Sequence, residues 1–134
     1  RRYDTALFES RVNKILQTMP KACIAVDVIV GFPGESELDF LETEQFLKRM
    51  DISYLHVFTY SVRANTRAEK MKEQIPLFAR KVRSKILHQL SDHKKEIFYK
   101  KNMGETVDVL FESSKYKGYM HGFSENYIKV KTKS

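Results

Sequence analysis

A short polar loop, GFPGE at residues 31–35, directly follows the nearly unbroken apolar run IAVDVIV at residues 24–30. Glycines allow a backbone to approach a ligand closely and to adopt positive φ, and proline stiffens a turn. The loop does not match a phosphate-binding loop, because Glu35 and Ser36 stand where Lys and then Ser or Thr would follow the second glycine. Taken alone, it fits a ligand site and a plain strand-to-helix turn equally well.

Two ionisable residues interrupt apolar runs. Asp27 lies within residues 24–30, and a carboxylate buried there would have to be paired or hydrogen-bonded. It is therefore either a functional residue or part of an internal ion pair. His56 lies in the run YLHVFTY, where a hydrogen-bonded core or rim histidine is a better interpretation than a proton carrier. A hydrolase that uses both residues is disfavoured, because the chain has no G-x-S-x-G nucleophile motif.

A second candidate loop, YSVRANT at residues 60–66, follows this second run. Its Arg63 could hold a carboxylate or a phosphate through two parallel hydrogen bonds. Cys23 is the single cysteine, so the chain can form no internal disulfide and cannot by itself supply the ligands of a metal cluster. We expect Cys23 to be a buried free thiol.

Helices and strands must position these loops. The spacing of apolar residues predicts a helix over 5–18, and the β-branched run at 24–30 predicts a strand buried on both faces. A capping-box pattern, Ser36 to Asp39, predicts that a second helix starts there and runs to about residue 50. We expect that helix to bury Leu38, Leu41, Phe46 and Leu47. With a strand at 54–60 the pattern is a parallel β-α-β unit, whose carboxyl strand ends share one edge, so both loops should lie at the same mouth.

The second half of the chain has a different pattern. A long basic helix is predicted over residues 77–101, with Val82, Ile86, Leu90 and Ile97 on one side. From about residue 103, the short runs TVDVLFE, KGYMHGF and NYIKV predict a small antiparallel β module. The predicted fold class is thus α/β, followed by a long helix and a small, incomplete antiparallel module.

The charge is unevenly distributed along the chain. Residues 1–61 carry 7 Lys and Arg against 9 Asp and Glu, or −2, whereas residues 62–134 carry 17 against 8, or +9. This asymmetry favours a polyanionic partner for the second half over a merely solvated basic helix face.

Aromatic and lysine residues alternate in the predicted β module, and such surfaces can stack bases while they contact phosphates. Alternate aromatics in a small barrel are mostly core, so we expect only one or two of them to touch RNA. The candidate RNA-binding residues are Lys115, Lys117, Tyr119, Lys129 and Lys131.

Four stretches, taken in order, resemble a known family. They are DVIVGFPGE with its Ser-x-x-Asp-Phe helix start, HVFTYSVRANTRA, an Arg-rich helix, and GYMHGFSENYIKV. In order and spacing they resemble the carboxyl-terminal part of the radical-SAM tRNA methylthiotransferases (MiaB-like), and most of all the branch that acts on N6-threonylcarbamoyladenosine. The resemblance covers nearly the whole chain.

The resemblance implies the last strands of a partial radical-SAM (β/α) barrel over residues 1–76, a connecting helix over 77–102, and the start of a TRAM domain, which resembles an OB-fold, over 103–134. It implies S-adenosylmethionine and two 4Fe-4S clusters as cofactors of a longer parent enzyme, which adds a methylthio group to C2 of an adenine beside the anticodon. The cofactor-binding residues that it implies are Asp27, Ile29, Gly31, Phe32, Glu35, Tyr60, Ser61 and Arg63. For Glu35, a structural role in which its carboxylate binds backbone N–H groups of the loop is an equally good interpretation, and Arg63 could contact tRNA instead of the cofactor. Val62 and Ala64-Asn65 depart from the Pro and Pro-Gly that are usual in the second loop.

Further expectations concern the chain as a whole. It begins with Arg1 rather than Met, which suggests a piece of a longer protein. Because Cys23 alone cannot hold either cluster, we expect this piece to be inactive by itself and to bind no cofactor. The expected partner is the tRNA anticodon stem-loop, without a membrane, in the cytoplasm, and exposed sheet edges could pair copies of the piece. Two alternatives stay open: an RNA-binding module without catalysis, and a methylthiotransferase acting on isopentenyladenosine.

Overall fold

A computed structural model describes residues 4–133 of the 134-residue chain. In chain order its elements are α1 (Thr5–Thr18), β1 (Ala25–Val30), α2 (Glu37–Arg49), β2 (Tyr54–Thr59), a 3-10 turn (Ala68–Lys70), α3 (Leu77–Lys101), β3 (Val109–Tyr116), β4 (Tyr119–Ser124) and β5 (Lys129–Lys133). The predicted bounds of α1 and α3 are confirmed to the residue. None of the helices in this range is both long and apolar enough to cross a bilayer.

The two strands β1 and β2 pair in parallel and are joined by α2, which confirms the predicted β-α-β unit. Val30, at the end of β1, is fully buried, and α1, α2 and α3 supply the rest of this core. On the opposite face Asp27 and Ile29 are exposed. The prediction of a strand buried on both faces is therefore wrong within the described residues, because the helices cover only one face of the sheet.

The capping box of α2 is confirmed. The backbone N–H of Asp39 donates to Ser36 Oγ at 3.1 Å, and the backbone N–H of Ser36 donates to Asp39 Oδ2 at 2.8 Å. These bonds from Ser36 lower the pKa of Asp39 below its ordinary value.

The predicted buried face of α2 is partly wrong. Leu38 is 72% exposed and Leu41 is also exposed, whereas Phe40 and Leu47, two helical turns apart, face the core. Phe46 packs against the edge of that core.

The buried side of α3 is mostly polar, which the apolar pattern did not predict. Val82 and Ile97 are exposed, and Ile86 and Leu90 are half-buried. The buried residues are Arg80, Arg83, Leu87, Ser91, Lys94 and Phe98.

Polar groups can be buried there because α3 packs along the side of β2 that does not pair with β1, where it meets unpaired backbone. Ser91 Oγ accepts from the N–H of Leu55 and donates to its carbonyl, both at 2.9 Å. Lys94 Nζ donates to the carbonyls of Lys48 and Met50 at the end of α2. α3 thus covers the edge of β2 at Leu55 and satisfies the backbone hydrogen bonds of that residue.

The three strands β3, β4 and β5 form an antiparallel sheet in that order, which confirms the predicted module. Gly122 in β4 has no room for a side chain, since an added Cβ would lie 2.5 Å from the carbonyl oxygen of Leu110 on β3. Asn126, in the turn after β4, donates to the carbonyl of Lys21 and to Asn102 Oδ1 at 3.2 and 2.9 Å. This turn joins the antiparallel sheet to the α/β part.

Candidate functional site

The GFPGE loop leaves the carboxyl end of β1 in a strongly constrained conformation. Gly31 and Gly34 have φ of +74° and +85°, a region that favours glycine. The N–H of Gly34 donates to the carbonyl of Glu73 at 2.8 Å, and the N–H of Glu35 donates to the carbonyl of Phe32 at 3.0 Å. The loop backbone is therefore hydrogen-bonded both within itself and to the segment before α3.

Glu35 holds the loop together from inside. Its carboxylate accepts the N–H of Gly31, with Oε1 at 3.1 Å and Oε2 at 3.2 Å. The same carboxylate receives Arg83 Nη1 at 2.6 Å, and this nitrogen also donates to the Glu35 carbonyl at 2.9 Å. Arg83 Nη2 extends the cluster to Glu37 at 3.0 Å.

The ion pair between Arg83 and Glu35 is largely withdrawn from solvent, with the two side chains only 7% and 17% exposed. Burial alone would lower the pKa of Arg83, but hydrogen bonds to Glu37 and Glu35 outweigh this effect and raise its pKa above the ordinary value. Arg83 is therefore a permanent cation beside the loop.

Arg80 packs against the loop through the carbon atoms of its side chain. An added Cβ on Gly31 would overlap Arg80 Cγ, so the arginine stem fills the space that a side chain would need. Arg80 Nη1 donates to the Tyr60 carbonyl at 3.1 Å, and its guanidinium lies 5.2 Å from the Tyr60 ring. The rings of Tyr60 and Phe32 form a T-shaped pair with their centroids 5.3 Å apart. The Tyr60 hydroxyl is buried without a partner among the described residues.

The YSVRANT loop begins beside the first loop, because the N–H of Tyr60 donates to the carbonyl of Val30 at 2.9 Å. Ser61 and Arg63 are exposed, and within residues 4–133 the Arg63 side chain has no ion pair or hydrogen bond. The local order comes from Thr66 Oγ1, which donates to the Arg63 carbonyl at 2.8 Å, and from Asn65, whose N–H donates to Glu69.

The open sheet face, defined by Asp27, Ile29, His56 and Phe58, adjoins both loops. Asp27 is in register with His56, and Ile29 with Phe58. Ile29 and Phe58 are 54% and 52% exposed. Because Asp27 is exposed, its carboxylate is solvated and does not need the ion pair or hydrogen bond that a buried carboxylate would require. The site residues predicted from sequence thus occupy this face, the end of β1 and the start of the second loop.

Arg80 and Arg83 were not predicted as part of the site. The sequence carries a signal for them, because they continue the buried face of α3 toward its amino end: Arg83 lies four residues before Leu87, and Arg80 lies three residues before Arg83. Polar residues in that stripe indicate a helix that packs against backbone and carboxylates rather than only against apolar side chains.

The antiparallel sheet carries aromatic and lysine side chains on its surface. Lys131 Nζ lies 5.3 Å from the Tyr119 ring, Lys117 Nζ lies 5.3 Å from the Tyr116 ring, and Lys129 is paired with Phe123. Of the five aromatic residues of this module that alternate with lysines, only Tyr119 is half-buried and the other four are exposed. These four are Phe111, Tyr116, Phe123 and Tyr127. The expectation that they are mostly core is therefore wrong within the described residues. The side chain of Lys115 lies outside the part that the structure describes.

No cluster of three or more His, Cys, Asp or Glu with metal-site geometry occurs in residues 4–133. Cys23 is a partly buried free thiol. The donor set of the described residues therefore does not fit an iron–sulfur cluster, which needs several thiolates.

No family model matches the chain, but curated proteins do. It is 43% identical over 132 residues to the threonylcarbamoyladenosine tRNA methylthiotransferase MtaB of Aquifex aeolicus, and 34% identical over 134 residues to the MtaB of Bacillus subtilis. It is also 39% identical over 115 residues to the tRNA-2-methylthio-N(6)-dimethylallyladenosine synthase of Bacillus velezensis. These matches cover 98%, 97% and 84% of the chain but only 31%, 30% and 22% of the relatives. The chain therefore spans less than a third of the proteins that it resembles.

Proposed function

This chain belongs to the MiaB-like family of tRNA methylthiotransferases, and we propose that it is part of an enzyme that adds a methylthio group to C2 of N6-threonylcarbamoyladenosine in tRNA. The observation that carries the proposal is homology over nearly the whole chain. Matches to MtaB proteins cover 96–98% of the chain, whereas those to the dimethylallyladenosine synthases cover 84–91%, which favours the first substrate.

The architecture supports a role in a barrel. Two parallel strands with helices on one face leave the open sheet face free, which is the arrangement of adjacent strands in a (β/α) barrel whose interior lies on that side. We assign residues 1–76 to this barrel, 77–102 to a connecting helix and 103–134 to a TRAM domain.

The described residues fit S-adenosylmethionine at the carboxyl end of β1. Ile29 and Phe32 offer exposed apolar surface, and the buried Tyr60 hydroxyl lacks a partner within the described residues. When bound, S-adenosylmethionine supplies the radical chemistry of the family. In our proposal Asp27, Glu35, Ser61 and Arg63 complete the surroundings of the cofactor, while cluster ligands come from outside this chain.

The antiparallel sheet is the proposed tRNA surface. Lys117, Lys129 and Lys131 are exposed, and two of them lie against tyrosine rings, so stacking and phosphate contacts are available on adjacent strands. Tyr119 and Lys115 complete the proposed set.

The test uses the full-length protein that contains this chain, reconstituted without oxygen with iron and sulfide. It is incubated with S-adenosylmethionine and a tRNA that carries threonylcarbamoyladenosine without the methylthio group, and the nucleosides are identified by mass spectrometry. We expect 2-methylthio-threonylcarbamoyladenosine. A methylthio group found only on isopentenyladenosine would contradict the proposed substrate. The absence of any methylthio product would contradict the proposed enzymatic activity.

A second candidate function, RNA binding without catalysis, is favoured by the same exposed lysines and aromatics. It predicts tRNA affinity that falls linearly with salt on a log-log plot, with a slope that decreases by about one for each lysine removed from a phosphate contact. Lys131→Ala should reduce the slope, whereas Lys14→Ala on α1 should not.

A further inference from the structure

Arg83 connects three elements. It projects from α3, its Nη1 binds both the carboxylate and the carbonyl of Glu35 in the GFPGE loop, and its Nη2 binds Glu37 in the first turn of α2. The Arg83 side chain is only 7% exposed, so these bonds are shielded from competing water. Arg83 therefore determines where the Glu35 carboxylate lies.

The position of that carboxylate determines the start of the loop. Glu35 accepts the N–H of Gly31, the first residue after β1, and so helps to hold it at φ +74°. Phe32 follows at once and meets the Tyr60 ring. A substitution of Arg83 would therefore move the Glu35 carboxylate and, through it, the backbone of Gly31, which we place against the cofactor.

Electrostatics indicate that the ion pair of Arg83 and Glu35 does more than stabilise the fold. A cation near the amino end of a helix opposes the helix dipole, and α2 begins at Glu37. Buried ion pairs also add little stability compared with apolar residues of similar volume. What the pair provides here is a directed set of hydrogen bonds to one loop.

Arg80 provides the comparison. It packs on Gly31 through its stem and donates to the carbonyls of Ile75 and Tyr60, but it binds no carboxylate within the described residues. Arg80 limits the space beside Gly31, whereas Arg83 directs the N–H of Gly31 through Glu35.

We propose that Arg83 is a positioning residue that acts through Glu35 on the backbone of Gly31, and thereby sets the affinity of the GFPGE loop for S-adenosylmethionine. This inference rests on the proposed function. It assigns a role in cofactor binding to a side chain of α3 that does not itself touch the cofactor.

The test compares Arg83→Met, Arg83→Lys and Glu35→Gln with wild type in the full-length reconstituted enzyme. We expect Arg83→Met and Glu35→Gln to raise the KM for S-adenosylmethionine about tenfold, the equivalent of one charge-assisted hydrogen bond, with the KM for tRNA within about twofold. Arg83→Lys keeps the positive charge but loses the planar guanidinium that binds Glu35 and Glu37 at once. Its KM for S-adenosylmethionine should therefore lie between those of wild type and Arg83→Met. Glu37→Gln, which removes only the negative charge of the exposed partner of the same arginine, is the matched control and should change neither KM.

Two results would overturn the inference. One is an unchanged KM for S-adenosylmethionine in Arg83→Met and Glu35→Gln. The other is an equal rise in both KM values, which would indicate general damage to the fold.

Hydrogen exchange of the Gly31 amide in the same proteins separates this inference from the proposed function. We expect faster exchange in Arg83→Met and Glu35→Gln and wild-type exchange in Glu37→Gln. If the wild-type enzyme makes no methylthio product, the proposed function fails. The exchange data then still decide whether Arg83 positions the loop, since an unchanged rate in Arg83→Met would overturn that as well.

Discussion

The two loops at the carboxyl ends of β1 and β2 start side by side but are held very differently. The GFPGE loop is tied by a buried ion pair, by backbone bonds to the segment before α3 and by the stem of Arg80. The YSVRANT loop is exposed along its length after Tyr60 and is held by three local hydrogen bonds within residues 63–69. A rigid loop suits a small ligand of constant shape, and an exposed loop suits a larger or more variable one.

The largest difference between the loops should appear when an arginine is removed from each. Arg83→Met leaves Glu35 partly buried without its cation and should lower the free energy of unfolding by about 3–5 kcal/mol. Arg63→Met removes an exposed side chain and should change it by less than about 0.5 kcal/mol. Urea unfolding of the two variants measures the difference, and similar losses would show that the loops are held alike.

The second difference concerns glycine. Gly31→Ala adds a Cβ that overlaps the Arg80 stem at positive φ, so it should cost about 2–4 kcal/mol from steric overlap and backbone strain together. Gly104→Ala is the matched control, since φ is +82° there but no atom lies within 4 Å of the added Cβ. That variant should lose only about 1 kcal/mol, from strain alone. Equal losses in urea unfolding would mean that the packing of Arg80 on Gly31 has no energetic weight.

The third difference concerns backbone protection. The amides of Gly31, Gly34 and Glu35 all donate hydrogen bonds, whereas residues 61–64 lie on the surface. We expect hydrogen exchange at least about tenfold slower in the first set, which corresponds to about 1.4 kcal/mol of additional opening free energy. Exchange at similar rates would contradict the distinction between a rigid and an exposed loop.

Local patterns predicted the elements well, because helical spacing, capping and β-branched runs are encoded within short windows. The Ser36 capping box and the bounds of α3 are confirmed for this reason. The open sheet face was missed, since IAVDVIV is apolar enough for a strand buried on both sides and only the placement of the helices shows that one face is free. Arg80 and Arg83 were missed because the loops that they hold lie far away along the chain: Arg80 binds Tyr60 across 20 residues, and Arg83 binds Glu35 across 48.

The roles of the site residues remain proposals for a related physical reason. The structure places Ile29, Gly31, Phe32 and Tyr60 around one strand end, which the rule for parallel sheets anticipated. It places Ser61 and Arg63 on the surface of the second loop, where the sequence pattern alone does not determine what they contact. Side chains that act on a ligand are selected by that ligand rather than by the fold.

The smallest effect should come from the helix that the GFPGE loop enters. The pKa of Asp39 is lowered in the folded state by its bonds with Ser36, so its contribution to stability is fully present above the ordinary value of 3.8 and is lost as the pH falls through the lower folded value. Asp39→Asn should therefore remove a small pH dependence of the free energy of unfolding below about pH 4. Glu42→Gln, on the same helix, is the control and should keep that dependence. If wild type and Asp39→Asn lose stability in parallel as the pH falls below about 4, the Asp39 carboxylate contributes nothing to the folded state. The capping box would then not fix the point at which the loop enters α2, and the ion pair of Arg83 and Glu35 would be the stronger restraint on that end of the loop.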